Sequence, residues 1–257
     1  MTLLAHSWFM TLRMLRHLLR QPWYIAFTLI QPIIWLVLYG QLFRRVVDLP
    51  GFHSTSYIDF LTPGIVVMSA LFSSGWTGMG IIVDLDRGVM DRFLVSPVSR
   101  PAIILSRLMN LAITTIVQSL ILFGLGALLG ARYAGGPGGL GVLLIAAILL
   151  GVPFGALSIA LALTVRKQES VIGAVNFILL PLTFLSPVFM ATVLMPDWMR
   201  IATRFNPVNW SVEAGRGALQ GHADPLAVLT RLGFLIAFSL ASLWVATKAF
   251  RAYQRSA

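Results

Sequence analysis

Between Asp84 and Arg100 the chain reads Asp-Leu-Asp-Arg-Gly-Val-Met-Asp-Arg-Phe-Leu-Val-Ser-Pro-Val-Ser-Arg, three acids and three arginines in seventeen residues of an otherwise apolar protein. Charges so placed offer ion pairs and directed hydrogen bonds to a soluble partner, not bond-breaking chemistry. Asp84 and Asp86 are the only closely spaced carboxylates, and Arg87 stands beside them, so a solvated or salt-bridged face is their expected state. Gly88 and Pro97 divide the segment into a turn and a short amphipathic helix. The residues expected to meet the partner are Asp84, Asp86, Arg87, Gly88, Val89, Asp91, Arg92, Leu94, Ser96, Pro97 and Arg100.

Catalytic constellations are missing elsewhere. There is no cysteine, which removes disulfides, thiolate metal sites and thiol nucleophiles. Neither His-Glu-x-x-His nor Gly-x-Ser-x-Gly occurs, and Ser158 has no histidine near it in sequence, so it reads as a helix-packing residue. The glycine run Gly135-Gly136-Pro137-Gly138-Gly139 lacks the Gly-Lys-Ser/Thr ending of a nucleotide-binding loop and is expected to be a flexible external linker. No catalytic residue, metal site or bound cofactor is therefore expected of this chain.

The elements that position the charged segment are apolar. Hydrophobic residues make up 58% and charged residues 11% of 257 positions, and the mean hydropathy is +0.85, which identifies an integral membrane protein. A spanning helix needs about 20 apolar residues. Six segments meet or approach that length: Ile25–Leu42, Leu61–Val83, Leu108–Leu129, Leu140–Val165, Val171–Leu194 and Leu232–Thr247, the last with an alternative start near Leu226. One all-α membrane domain of six transmembrane helices, covering residues 1–257, is the expected fold.

Before the first span, Leu4, Trp8, Leu12, Leu15 and Leu19 recur at helical spacing opposite Arg13, Arg16, His17 and Arg20, which predicts an amphipathic interface helix over residues 1–22. Residues 84–100 lie between spans two and three. Arg166, Lys167 and Glu169 form a tight turn between spans four and five and offer a second, smaller contact. Pro181 and Pro187 interrupt the fifth apolar run, and Pro196 and Asn206-Pro207 break the stretch between it and the last span. Two short re-entrant helices are therefore expected over residues 196–220, carrying Phe205, Asn206, Pro207, Trp210 and Glu213. Glu213 and Arg216 are spaced to pair across one turn.

Acids avoid the middle of every span, which argues against an ion-coupled carrier with a buried titrating group. Phe72, Trp76, Asn176, Phe177 and Phe184 are candidates for an apolar substrate path, while Thr114, Gln118 and Ser119 are expected to bond between helices. With the N-terminus inside, twelve of the nineteen Lys and Arg residues fall on the inner side, which places both termini in the cytoplasm. The net charge of +10 is spread along the span ends, so anionic lipid and not nucleic acid is its expected counterpart.

Asp86 to Arg100 resembles the cytoplasmic signature of type 2 ABC export permeases, of which the daunorubicin-resistance permeases are the nearest kind: an acidic residue before Gly-Thr, an amphipathic helix, then Ser/Thr-Pro-Val/Leu-Ser/Thr-Arg. Asp86 stands for the usual glutamate and Val89 for the threonine. Asn206-Pro-Val-Asn-Trp-Ser-Val-Glu-Ala214 is similar to that family's Asn-Pro-Leu-Thr-Tyr-Ala-Val-Asp-Ala pattern, and Pro181–Phe189 to the stretch before it. The resemblance implies a multi-pass subunit of the plasma or inner membrane that pairs with a second permease copy or homologue. A separate ATPase, binding ATP and magnesium, would dock on a coupling helix from about Gly88 to Leu94 and drive export of an amphipathic drug-like or lipid substrate. A polysaccharide or lipid-linked glycan is an alternative cargo; a membrane scaffold or sensor that transports nothing is an alternative function.

Overall fold

Proline and glycine divide the chain into helices at the places where the backbone must change direction. The computed structural model describes residues 2–19, 22–49, 52, 56–89, 100–221 and 224–256. Helix α1 (Thr2–Leu19) precedes α2 (Pro22–Leu42), whose first-turn proline needs no N–H partner there. A 3-10 turn at Arg44–Asp48 leads toward α3 (Tyr57–Gly75), capped by the Ser56 hydroxyl, which accepts from the Ile58 N–H. A second 3-10 turn, Trp76–Gly78, joins α3 to α4 (Met79–Asp86). Then come α5 (Arg100–Leu128), α6 (Gly136–Val165) and α7 (Gln168–Phe184). The broken region holds α8 (Asp197–Arg204) and α9 (Pro207–Gln220), and α10 (Pro225–Ser256) ends the described chain.

Among the described residues four stretches are long and apolar enough to cross a membrane: Tyr57–Asp86, Ala102–Leu128, Gly136–Val165 and Pro225–Tyr253; Ala26–Leu42 and Gln168–Phe184 are shorter apolar helices. Boundaries differ from the sequence reading. The fifth apolar run was expected to reach Leu194, but α7 stops at Phe184, because Pro187 has no N–H to continue the ladder, and only a 3-10 turn at Thr192–Leu194 comes after it. The last helix starts at Pro225 and runs past Thr247, and α5 begins eight residues before Leu108.

Helix α6 is apolar on all sides and accordingly lies in the middle, packed on α10, α9, α3 and α5. Its small residues permit close approach. A Cβ on Gly78 would lie 2.3 Å from the Ser158 carbonyl oxygen, so the 3-10 break in the α3–α4 rod is seated directly on α6. The Ser158 hydroxyl accepts from the Gly78 N–H at 3.0 Å and donates to the Gly75 carbonyl, supplying partners that the interrupted helix would otherwise lack.

The glycine run is no flexible linker. The Gly135 N–H donates to the Leu219 carbonyl at 2.8 Å, and a Cβ there would sit 1.9 Å from the Ala218 oxygen. Gly136 takes φ +54° where α6 starts. These residues let the end of α9 press against the start of α6, a role that demands glycine at Gly135 for space and at Gly136 for conformation.

The interface helix also docks differently from expectation. Among its described side chains Ser7 and Thr11 are the fully buried ones, while Leu12 and Leu15 are half-buried; the Thr11 hydroxyl lies 2.7 Å from the Ser7 carbonyl and 3.2 Å from that of Ser106 on α5. Trp8, Phe9, Arg13 and Arg16 are exposed. A small hydroxyl face fits closely on α5, with Met10 packed on the core beside it, whereas Trp8 and Phe9 point away from the bundle.

Candidate functional site

A groove of about 450 Å³ runs between α2, the α3–α4 rod, α5 and α7. Phe27, Met68, Phe72, Trp76, Leu111 and Leu180 form its apolar wall. Of the sequence-derived path residues, Phe72, Trp76 and Asn176 line it. Phe177 is 81% exposed and faces outward, and Phe184 belongs to a second cavity of about 270 Å³ with Tyr39, Phe189, Met195 and Met199. The five candidates thus divide among two cavities and an outer surface, because Asn176, Phe177 and Phe184 stand at different angles around α7.

The groove is more polar than an apolar path would be. Gln118 bridges three helices: its Oε1 accepts from the Ser73 hydroxyl at 2.9 Å and its Nε2 donates to Thr28 Oγ1 at 3.1 Å. Interhelical bonding was expected of Gln118, and this is its form. Gln31, Ser69, Asn110, Thr114 and Asn176 add further amide and hydroxyl groups to the lining.

At one end of the groove α5 passes α4. Arg107, two turns into α5, donates from Nη2 to the Gly80 carbonyl at 3.1 Å and pairs with the Asp84 carboxylate. The pair ties together the helices that flank the charged segment. Asp84 is consequently turned inward to Arg107, whereas Asp86 and Arg87 are exposed at the end of α4 and Gly88 takes a left-handed φ of +64°. Val89 is half-buried. Asp91, Arg92, Leu94, Ser96 and Pro97 lie outside the described residues, and Arg100 opens α5. The α6–α7 turn is at the same end: Arg166 has φ +55°, and its guanidinium lies 4.8 Å from the Tyr253 ring near the end of α10, while Lys167 and Glu169 are exposed.

The opposite end is built on Asn206 and Arg216. Asn206 caps α9 by accepting from the Val208 N–H at 2.9 Å, and its Nδ2 donates to the Leu182 and Leu185 carbonyls, both at 2.7 Å, left over where α7 stops. Pro207 occupies the first helical position of α9. Arg216 does not pair with Glu213. It is buried, donating from Nε to the Phe60 carbonyl at 3.2 Å and from Nη2 to the Pro187 carbonyl at 2.7 Å, with its guanidinium 3.6 Å above the Phe60 ring. Glu213 instead pairs with Arg231 on α10. The reason is the seat of α9, whose Arg216 face turns to α3 and whose Glu213 face turns to α10. Trp210 donates to the Arg204 carbonyl at 2.8 Å, and Phe205 is exposed.

Sequence reasoning missed Arg107 and Arg216 as organising residues. For Arg107 the available signal was a cation against an apolar run with no acid at helical spacing, since such a group must find distant partners; for Arg216 the nearby Glu213 masked it.

The family profile described as ABC-2 type transporter matches residues 6–219. A daunorubicin resistance ABC transporter permease protein of Streptomyces coeruleorubidus is 28% identical over 194 residues, 76% of this chain and 68% of that protein. A probable doxorubicin resistance ABC transporter permease protein of Mycobacterium tuberculosis is 24% identical, covering 84% of this chain and 78% of its own length. An inner membrane transport permease of Escherichia coli is 24% identical, covering 83% of each chain.

Proposed function

Because the chain belongs to the ABC-2 type transporter family, and so is a membrane subunit that works with a separate ATPase, we propose that it exports an amphipathic drug-like or lipid substrate by alternating access. The observation that carries this reading is the groove itself, which has apolar and hydrogen-bonding walls and ends beside the α4–α5 pair next to the charged segment. In this reading ATP and magnesium bind the partner, whose closure pushes residues 84–100 as a coupling segment, with Arg166, Lys167 and Glu169 as a lesser contact. The rod Tyr57–Asp86 and α7 then tilt, and the groove opens past α8 and α9. Six spans form if α2 and α7 cross as shorter helices, and both termini lie in the cytoplasm of an inner or plasma membrane.

A second permease copy or homologue completes the cavity. Phe27, Ile34 and Leu38 on α2 and Phe177 and Phe184 on α7 are exposed in the single chain, an apolar surface that another copy or lipid would cover. The hydroxyl and amide lining also favours a second reading of the cargo, a glycan or lipid-linked glycan, which would use those groups along its length. Co-reconstitution with the cognate ATPase in proteoliposomes tests export: ATP-dependent efflux of an amphiphile together with substrate-stimulated hydrolysis is expected. A stable complex that hydrolyses ATP but moves nothing would support a scaffold instead.

A further inference from the structure

Among the described residues, Arg107 is the only cation in the groove lining, and no Asp or Glu accompanies it there. The side chain is about nine-tenths buried, yet its bonds are incomplete. Both acceptors it reaches, the Gly80 carbonyl and the Asp84 carboxylate, are bonded through Nη2, while the buried Nε makes no hydrogen bond to any described residue. One turn along α5, Asn110 also lines the groove and leaves its buried Oδ1 unpartnered among the described residues. A guanidinium has five donors in a fixed fork, and buried donors are nearly always used. Unused capacity at a buried cation on the wall of a cavity marks where an anion can be received.

The geometry points to Arg107 as the receptor for the anionic headgroup, phosphate or carboxylate, of an amphipathic cargo, which it holds by exchanging or sharing its contact with Asp84. This rests on the export reading and names its substrate class. Charge selects the sign: Arg107 belongs to the lining and Asp84 does not, so an incoming anion meets the guanidinium, while a cation meets no acid among the described lining residues. The planar fork suits two-oxygen recognition, which an ammonium could not supply. The apolar wall of Phe72, Trp76, Leu111 and Leu180 would take the tail. Asp84 stands in the last turn of α4, directly before the exposed Asp86 and Arg87. Loosening its pair therefore tells the charged segment that cargo is present.

The test uses the chain in complex with its ATPase in phosphatidylcholine nanodiscs, with radiolabelled dodecyl phosphate and dodecyltrimethylammonium as probes of equal tail length. The wild type should bind the phosphate about tenfold more tightly, the scale of one charge-assisted contact. Arg107→Gln should remove that preference, and Asp84→Asn should strengthen phosphate binding by releasing the guanidinium. A purely structural pair would show weaker binding for both variants. If Arg107→Gln does not fold, the double variant Asp84→Asn/Arg107→Gln, which leaves no unpaired charge, should bind both probes alike.

Equal binding of the two probes by the wild type, or phosphate preference that survives in the double variant, would overturn the inference. Inorganic phosphate at the same concentration should displace nothing; full displacement would overturn the amphiphile assignment in favour of a free anion. Efflux of a neutral amphiphile, measured in the same preparation, separates the two readings. Efflux without anion preference leaves export standing and this inference fallen, whereas no ATP-driven efflux of any probe brings down the export reading itself.

Discussion

The two ends of the bundle are held by different chemistry. At the broken end, Asn206 and Arg216 donate to backbone carbonyls of Phe60, Leu182, Leu185 and Pro187, and Gly135 presses backbone on backbone against α9. At the charged end, Arg107 divides its Nη2 between the Gly80 carbonyl and the Asp84 carboxylate of α4, and the Thr11 hydroxyl of α1 lies 3.2 Å from the Ser106 carbonyl of α5. Bonds to backbone satisfy groups that cannot be supplied otherwise, so they fix a shape. The Arg107–Asp84 contact is between side chains: losing the carboxylate would strand a buried charge unless another anion took its place. The lesson is that Arg216 gives both of its bonds to backbone and so makes the interrupted end the rigid one, whereas Arg107 gives one to a carboxylate, the contact through which the other end would respond.

The largest expected effect tests whether these are opposite ends at all. The chain has no cysteine, so Lys167→Cys and Val193→Cys each introduce a single, exposed label site. A membrane-impermeant maleimide applied to intact cells should label the second and reach the first only after permeabilisation. Labelling of both from outside would remove the topological basis of the comparison.

Stability should then separate the ends. Arg216→Met strands the carbonyls of Phe60 and Pro187 and is expected to destabilise the purified chain by about 3 kcal/mol. Asn206→Ala, which loses a helix cap and two carbonyl partners, should cost about 2 kcal/mol. Both can be read from unfolding in detergent. Thr11→Val at the charged end removes only a hydroxyl contact and should cost about 1 kcal/mol. An Arg216→Met variant as stable as Thr11→Val would show that the broken end is not the rigid one.

Much of the helix plan was legible in the sequence because apolar length and proline position are local properties. The six apolar runs, the break after Pro181 and the two short helices on either side of Asn206 each correspond to a helix or a break in the structure. The contacts of single polar residues were not legible. Arg216 bonds to Phe60, 156 positions away, and Gln118 to Thr28, 90 positions away, whereas periodicity carries information over only a turn or two. The same limit explains why Glu213 was expected to pair with its helical neighbour and not with Arg231. It also explains the glycine run: high flexibility in an isolated peptide and close packing in a fold select the same residue, and the Gly135 contact with Leu219 decides between them.

The most direct measurement of the central claim, that force enters through the charged segment and moves cargo in the groove, compares wild type with Gly88→Trp in proteoliposomes containing the cognate ATPase. Gly88 takes φ +64°, and no atom of the described residues lies within 4 Å of a Cβ there, so the substitution disturbs the turn while leaving the described bundle core untouched. The wild type should show ATP-dependent efflux, and the variant efflux at background although it is inserted and still binds the ATPase. Undiminished efflux by Gly88→Trp would contradict the claim.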